Sequence, residues 1–277
     1  MESIIHQVIL PIKGPKISYY NSYVGYFKNI LPEDTRIIYS GEGKFNYFVV
    51  TIDGKKIVVD FSNFHDIYEK QVQSGLPYLK FQYSINEHRR YSNVYAFTKI
   101  SFFDWHQFFD LKKKIKYTCN SDKIISMQRP RGAAVGRRNY VQGFLKEKYG
   151  KDLITQFNKD QLVFWNTIND CLVHVCVPGA RNDILDRGQL QAMAFGACTV
   201  SPVIPDRLSW NFELVPEFHY IACKPDYSDL IEKIEWCRDN RSICVEIGQN
   251  AAKLFEGTST PQRMWEWILE VIKINGR

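Results

Sequence analysis

The sequence lacks several features that would place it in a special class. It has no run of about 18 apolar residues, the length needed for a membrane-spanning helix. It has no Cys-x-x-Cys pair, internal repeat or low-complexity tract. Its first residues show no basic stretch followed by a long apolar stretch, which is the pattern of a secretion signal. We therefore expect a cytoplasmic protein without a spanning helix.

The composition is that of an ordinary globular protein. Of the 277 residues, 45% are hydrophobic and 24% are charged, which fits one large domain or two small ones. The seven cysteines are odd in number, and several lie in apolar runs such as CLVHVCV (171–177). Reduced, buried thiols are the expected state, rather than a disulfide framework or a metal cluster.

The net charge of +6 is unevenly distributed. It is +5 over residues 1–120, +5 over 121–160 and −4 over 161–277. Such asymmetry suits an anionic ligand held near the middle of the molecule, although a lysine-rich solvated surface gives the same pattern.

Apolar periodicity predicts an irregular first half and a regular second half. In the first half we expect helices at 18–31 and 63–74, a hairpin turning at Asp53-Gly54, and strands at 4–11, 36–40, 78–84 and 93–99. In the second half, strands at 123–127, 171–177, 197–203 and 219–223 alternate with helices at 138–149, 159–169, 186–195, 227–240, 242–255 and 262–274. This alternation predicts a doubly wound α/β domain. A polar stretch at 112–121 marks the boundary, so the expected domains are 1–118 and 119–277.

The loop after the strand at 171–177 has the composition of an anion site. Gly179 gives a turn, and a helix begins near Asp186, so backbone N–H groups and the helix dipole point toward a ligand. Arg187, in the first helical turn, adds a guanidinium suited to phosphate, and Arg181 lies in the loop. The alternative is purely local structure, with Asp186 capping the helix and Arg181 paired with Asp183.

The segment VPGARNDILDRGQLQAMAFGACTVSP (177–202) resembles the nucleotide-sugar segment of GT-B glycosyltransferases, especially the spore-maturation-type and family 4-like proteins. The resemblance covers about residues 120–277. It implies two Rossmann-like domains facing a cleft, with the C-terminal helix crossing back to the first. It also implies a nucleotide-diphosphate sugar as donor, with the side chain of Gln191 facing the donor ribose, where the family usually has Glu.

The loop after the strand at 123–127 is rich in arginine. Arg129, Arg131, Arg137 and Arg138 lie within ten residues, and by the resemblance this loop lies beside the donor diphosphate. The alternatives are a loop that is basic by chance and a loop that binds nucleic acid phosphates. No DxD pair follows an apolar strand, so we expect no essential metal ion and no cofactor other than the donor substrate.

The first domain is expected to supply the acceptor side and a base. Asp60 and His65 follow the apolar strand that ends the hairpin, and Glu42 follows the strand at 36–40, so these three are the candidate bases. Asp60 could equally cap a helix. Lys80 stands alone among apolar residues, either facing the cleft or at a sheet edge, and His174 is expected to be a core histidine.

The expected function is transfer of a sugar from a nucleotide-sugar donor to a hydroxyl acceptor. One acceptor class is a glycan. The other is hydroxymethylated cytosine in DNA, which phage enzymes of this fold glycosylate, and aromatic residues interleaved with basic ones at 83–105 would suit a flipped base. A degenerate GT-B protein that binds the nucleotide or sugar without transfer is the alternative.

Overall fold

The computed structural model describes most of the chain. The described residues are 5–12, 18–42, 47–62, 65–98, 105–128, 130, 132–156, 160–179, 185–204, 206–207 and 213–276. The chain divides into two compact units. The first contains Met1–Ser101, Arg207–Glu213 and Gly257–Arg277, and the second contains Phe102–Asp206 and Leu214–Glu256. The polar stretch at which the sequence analysis placed the domain boundary lies within the second unit.

The first unit is built on short strands with few helices. In chain order its elements before residue 99 are β1 (Gln7–Ile12), α1 (Ser18–Lys28), β2 (Arg36–Glu42), β3 (Tyr47–Ile52), β4 (Lys55–Asp60), α2 (Glu69–Gln73), β5 (Tyr78–Lys80), β6 (Tyr83–Ser84), α3 (Ile85–His88) and β7 (Val94–Ala96).

Six of these strands form one sheet in the order β2-β1-β3-β4-β5-β7. β3 runs antiparallel to both of its neighbours, and the other pairs in the sheet are parallel. β2, β1, β4, β5 and β7 therefore end at the same edge of the sheet. Asp60 and Lys80, which are register partners, both lie at this carboxyl edge.

The β3–β4 hairpin forms as the sequence predicts. Asp53 and Gly54 both have positive φ, at 48° and 81°, which is the geometry that an Asp-Gly turn favours. Two other predictions were wrong in extent. The helix expected from residue 63 begins only at Glu69, and the strand expected over 78–84 is interrupted at Phe81-Gln82, where Gln82 has a φ of 59°.

The second unit alternates helices and strands. The remaining elements before residue 259 are α4 (Trp105–Lys114), β8 (Ile124–Ile125), α5 (Val135–Tyr149), β9 (Leu153–Ile154), α6 (Gln161–Asp170), β10 (Val173–Val175), α7 (Arg187–Ala194), β11 (Thr199–Pro202), β12 (Asp206–Arg207), β13 (Ile221–Cys223), α8 (Leu230–Asp239) and α9 (Arg241–Thr258). Single 3-10 turns span Gly132–Ala134 and Gly150–Asp152.

Five of these strands form a fully parallel sheet in the order β13-β11-β10-β8-β9. The central strands β8, β10 and β11 are buried at every position, as expected for strands covered on both faces. The α/β class expected from the sequence is confirmed, with two sheets in which parallel pairing dominates.

All seven cysteines lie in the second unit, where they are buried and form no disulfide bond: Cys119, Cys171, Cys176, Cys198, Cys223, Cys237 and Cys244. The burial expected for these thiols is confirmed. Burial raises the pKa of the Cys171 and Cys176 thiols above the ordinary value, which favours the neutral form.

One close backbone approach fixes the packing of α9. Gly248, in the middle of this helix, lies against the turn at Gly196 that ends α7. A Cβ atom at Gly248 would overlap the carbonyl oxygen of Gly196 and lie 2.9 Å from its carbonyl carbon. Only a residue without a side chain permits this approach.

The C-terminal helix α10 (Pro261–Asn275) belongs to the first unit. Its apolar side is buried: Met264, Trp265, Trp267, Ile268, Val271 and Ile272. The indole of Trp267 donates a hydrogen bond of 2.9 Å to the carbonyl of Ala96, at the end of β7, and its ring packs edge-on against Tyr95. No helix in the described part of the chain combines the length and apolar character needed to cross a membrane.

Candidate functional site

The strand order of the second sheet reverses between β8 and β10. The chain passes from β8 to its neighbour β9 on one side, then returns to β10 on the other side and continues outward to β11 and β13. In open parallel sheets, ligands bind beside such a switch point, at the carboxyl ends of the two strands. The loops that follow β8 and β10 lie there, and they are the two loops that the sequence analysis selected.

The loop after β10 leads into α7 through a capped helix terminus. Asp186 is the N-cap residue, and its Oδ1 accepts a 2.8 Å hydrogen bond from the backbone N–H of Gly188. The capping role that the sequence analysis gave as an alternative is confirmed for this residue. Capping and phosphate binding are compatible, because the cap uses one of the four N–H groups that a helix leaves unpaired at its start.

Helix α5 holds both loops in place. From this helix, the amide of Gln142 donates to the carbonyls of Ser126 and Gln128 after β8, at 2.7 and 3.2 Å. Arg137 donates to the carbonyl of Pro178 at 2.6 Å. Arg138 donates to the carbonyl of Val177 at 3.0 Å and pairs with Asp186 at 3.2 Å.

The structure thus shows what two of the predicted donor-binding arginines contact. Arg137 and Arg138 both engage the β10–α7 loop, which they join to α5. Gly179 lies beside them, since a Cβ atom there would be 3.5 Å from Nη2 of Arg138. Gln191 lies half-buried on α7. The roles of all four toward a donor stay predictions.

Other predicted residues are described incompletely or not at all. Arg129, Arg131 and Arg181 lie outside the described residues. For Glu42, the last residue of β2, and Arg187, the first of α7, the backbone is described and the side chain is not.

Sequence reasoning did not select Gln189, which lies on α7 two residues before Gln191. Gln189 is fully buried, and its amide donates to Ser201 Oγ at 2.9 Å and Thr199 Oγ1 at 3.3 Å on β11. These bonds set the rotation of α7 on the sheet. The signal available in the sequence was a Gln between Gly188 and Gly196, followed by a strand that contains Thr199 and Ser201.

At the carboxyl edge of the first sheet, Asp60 and Lys80 form a buried ion pair with a separation of 3.0 Å, and neither side chain is exposed. The same Asp60 oxygen accepts from the hydroxyl of Tyr78 at 2.6 Å, and the other oxygen accepts from the N–H of Ser62 at 2.8 Å. Lys80 also donates to Ser62 Oγ at 2.5 Å. Burial, and then the charge of Asp60, raises the pKa of Tyr78, which keeps its phenol protonated.

A second polar group is formed by His65, which follows β4, and by two residues of α3. Nδ1 of the buried His65 lies 3.1 Å from a carboxylate oxygen of Glu87, which is 43% exposed. Nε2 of His88 lies 2.6 Å from the carbonyl of His65, and Nδ1 of His88 accepts from the N–H of Ser84 at 2.9 Å. Burial lowers the pKa of His88 to about 4, so the ring is neutral near pH 7. Glu87 was not among the residues selected from the sequence, and His88 was selected only as part of the aromatic and basic stretch at 83–105 that would suit a flipped base.

Among the described residues, no group of three or more His, Cys, Asp or Glu side chains is arranged to hold a metal ion. The acidic and imidazole groups at the edge of the first sheet are instead joined to one another and to lysine, tyrosine and backbone groups.

Comparison with known sequences gives two partial matches. No family model matches the chain. Uncharacterized protein 179R of Invertebrate iridescent virus 6 is 42% identical over 71 residues, and Uncharacterized protein 035R of Invertebrate iridescent virus 3 is 40% identical over 47 residues. These segments are 23% and 17% of this chain but only 6% and 4% of the viral proteins, so the chain matches a small part of each relative.

Among solved structures, a sucrose-phosphate synthase from Thermosynechococcus elongatus has a TM-score of 0.47 at 12% identity, covering 77% of this chain and 63% of that one. A glycosyltransferase from Rickettsia africae has a TM-score of 0.49 at 11% identity, covering 97% of this chain and 77% of that one. At scores and identities this low, the similarity carries no argument about activity, which must come from the site.

Proposed function

We propose that the protein is a glycosyltransferase of the GT-B class, which moves a sugar from a nucleotide-diphosphate donor to a hydroxyl acceptor without an essential metal ion. One observation carries the proposal. The two loops with the composition of a phosphate site flank the switch point of a fully parallel sheet, where ligands of such sheets bind. The resemblance of residues 177–202 to a nucleotide-sugar segment supports the same class.

The site offers the chemistry that a nucleoside diphosphate requires. The N-terminus of α7 presents unpaired N–H groups and the positive end of the helix dipole, and Arg187 begins that helix. Arg137 and Arg138 fix the approach of the loop to α5. Fixed donors and cations of this kind stabilise the negative charge that develops as the diphosphate leaves.

Binding of the donor tests the first half of the proposal. Calorimetry with UDP-, GDP-, TDP- and CMP-sugars should identify a nucleotide that binds. Arg187→Ala should then weaken binding by about 1.5–3 kcal/mol, the scale of a hydrogen bond to a charged group. Arg263→Ala in α10, whose guanidinium pairs with Glu266, is the matched control and should bind like the wild type. Equal donor affinity in Arg187→Ala and wild type would contradict the placement of the diphosphate.

Transfer assays test the second half. The donor that binds is offered with glycan acceptors and with hydroxymethylated DNA, each in the presence and absence of a chelator. Transfer that persists in the chelator supports the metal-independent reaction, and loss restored by Mg²⁺ or Mn²⁺ contradicts it. Binding without transfer to either acceptor class supports the alternative, a nucleotide- or sugar-binding protein.

A further inference from the structure

The N-terminus of α7 already holds a negatively charged group of the protein itself. Oδ1 of Asp186 accepts from the N–H of Gly188 at 2.8 Å, and its Oδ2 accepts from Arg138 at 3.2 Å. The Asp186 side chain is 16% exposed and that of Arg138 is 11% exposed. An anion bound at this helix terminus therefore lies near a protein carboxylate that water screens only in part.

The carboxylate of Asp186 lies between two glycines. A Cβ atom at Gly188, in the first turn of α7, would be 3.1 Å from Oδ1. A Cβ atom at Gly179, in the loop after β10, would be 3.9 Å from Oδ2. Asp186 thus lies where the end of a strand approaches the start of a helix, and phosphate groups bind at such junctions.

A second observation at this junction points to a ligand and does not depend on the helix terminus. Both polar atoms of the Gln128 side chain, which follows β8, are buried, and neither has a hydrogen-bond partner among the described residues. The amide lies beside the weakly polar thiol of Cys176, which is also close to Asp186. A buried amide without a partner lowers stability, and a polar ligand between the ends of β8 and β10 would supply one.

The nucleotide before and after transfer of a sugar differs in charge. In a nucleotide-diphosphate sugar each phosphate carries one negative charge. In the free nucleoside diphosphate the terminal phosphate has a second ionisation with a pKa of about 6, so a further charge is present near neutral pH. A fixed carboxylate repels the more highly charged nucleotide more strongly.

We propose that Asp186 makes the donor site selective for a nucleotide-diphosphate sugar over the free nucleoside diphosphate; this rests on the function proposed above. Arg137 and Arg138 lie on the same loop and attract both nucleotides. Asp186 opposes that attraction, and it does so most for the nucleotide that has lost its sugar. The site therefore releases its product instead of remaining filled by it.

Asp186→Asn tests the charge alone, because Asn caps a helix as well as Asp does. Calorimetry on the whole protein compares UDP-glucose with UDP and GDP-mannose with GDP, near neutral pH and at low salt. For the pair that binds, the variant should raise the affinity for the free diphosphate about 10-fold more than the affinity for the sugar nucleotide. The excess should shrink at high salt, which a purely structural effect would not do.

Two further variants separate charge from shape. Asp122→Asn is the matched control, because Asp122 precedes β8 at the opposite edge of the same sheet and also pairs with an arginine, Arg241. It should leave the ratio of the two affinities at the wild-type value. Asp186→Ser, with another neutral capping residue, should reproduce the ratio of Asp186→Asn. Thermal unfolding of each variant checks that the second unit is folded.

The outcomes distinguish this inference from the proposed function. An unchanged ratio in Asp186→Asn, with the sugar nucleotide still bound by the wild type, would overturn the inference and leave the proposed function standing. A changed ratio in Asp186→Asn that Asp186→Ser does not reproduce would also overturn it, because the cause would be shape. Failure of the wild type to bind any of the four nucleotides would instead contradict the proposed function, and the selectivity with it.

Discussion

At the scale of single residues, His174 is the clearest departure from the rule that buried polar groups are paired. It lies in the middle of β10, is 4% exposed, and neither ring nitrogen has a hydrogen-bond partner among the described residues. Burial lowers its pKa to about 4. An unfolded chain holds histidine near pKa 6.5, so between these values the unfolded state binds a proton that the folded state excludes.

Acid should therefore destabilise the second unit through this residue. The difference of about 2.5 pKa units corresponds to about 3 kcal/mol, lost progressively as the pH falls from 7 to 4. His174→Leu removes the titrating group and the unpaired nitrogens, so its free energy of unfolding should exceed that of the wild type by a margin that grows toward low pH. Urea unfolding at pH 7, 6 and 5 measures this margin. Parallel curves for the two proteins would contradict it.

At the scale of elements, the position of α9 depends on Gly248, which has no side chain and can therefore lie against the Gly196 turn. The overlap that a Cβ atom at Gly248 would make is with backbone of the Gly196 turn, which cannot rotate away as a side chain can. The contact joins α9 to the end of α7, the helix that begins at the proposed donor site. A shift of α9 would therefore act directly on the C-terminal end of α7.

Two glycine-to-alanine changes in the same unit should have opposite effects. Gly248→Ala should destabilise the second unit by about 1–3 kcal/mol or more, because the helix must move to relieve the overlap. Gly143→Ala in the middle of α5 meets nothing within 4 Å, so it should stabilise by about 0.5–1 kcal/mol through helix propensity. Urea midpoints give both values. A neutral Gly248→Ala would show that α9 is not fixed by this approach.

At the scale of the whole molecule, the chain returns to complete its first unit. α10 follows the last residues of the second unit in sequence but places Trp267 under β7 and Trp265 edge-on to His6. The first unit thus combines a segment before residue 102 with a segment after residue 256, and its core is incomplete until α10 has been synthesised.

Removal of one side chain should therefore weaken one unit selectively. Trp267→Ala should destabilise the first unit by about 3–5 kcal/mol, the cost of deleting a large buried aromatic side chain. Hydrogen exchange read by peptide should show faster exchange in β4 and β5, with β10 and β11 unchanged. Equal acceleration in both units would show that the two unfold together.

Much of the fold could be predicted because its signals are local. The Asp53-Gly54 turn depends on two residues that tolerate positive φ. The buried strand β10 is predicted by an apolar run in the sequence. The errors in the first half arose where tertiary contacts override periodicity. The sequence predicts one strand over residues 78–84. In the structure Gln82 has a positive φ, which interrupts the strand just after Lys80, the residue that pairs with Asp60.

The candidate site was predictable in part for the same reason. The loops after β8 and β10 could be identified because each follows an apolar run that predicts a buried strand. The engagement of Arg138 by Val177 and Asp186, 39 and 48 residues away, depends on three-dimensional packing. The contacts of His65 with Glu87 and His88 likewise join residues 22 and 23 positions apart, and no local pattern encodes them.

The placement of the seven cysteines gives the molecule an internal chemical reporter. Every thiol is buried in the second unit, and the first unit has none. A maleimide therefore has no target on the folded first unit and gains targets only as the second unit opens. The number of labels, counted by mass spectrometry, would report opening of the second unit without an engineered probe. Opening of the first unit would add no label.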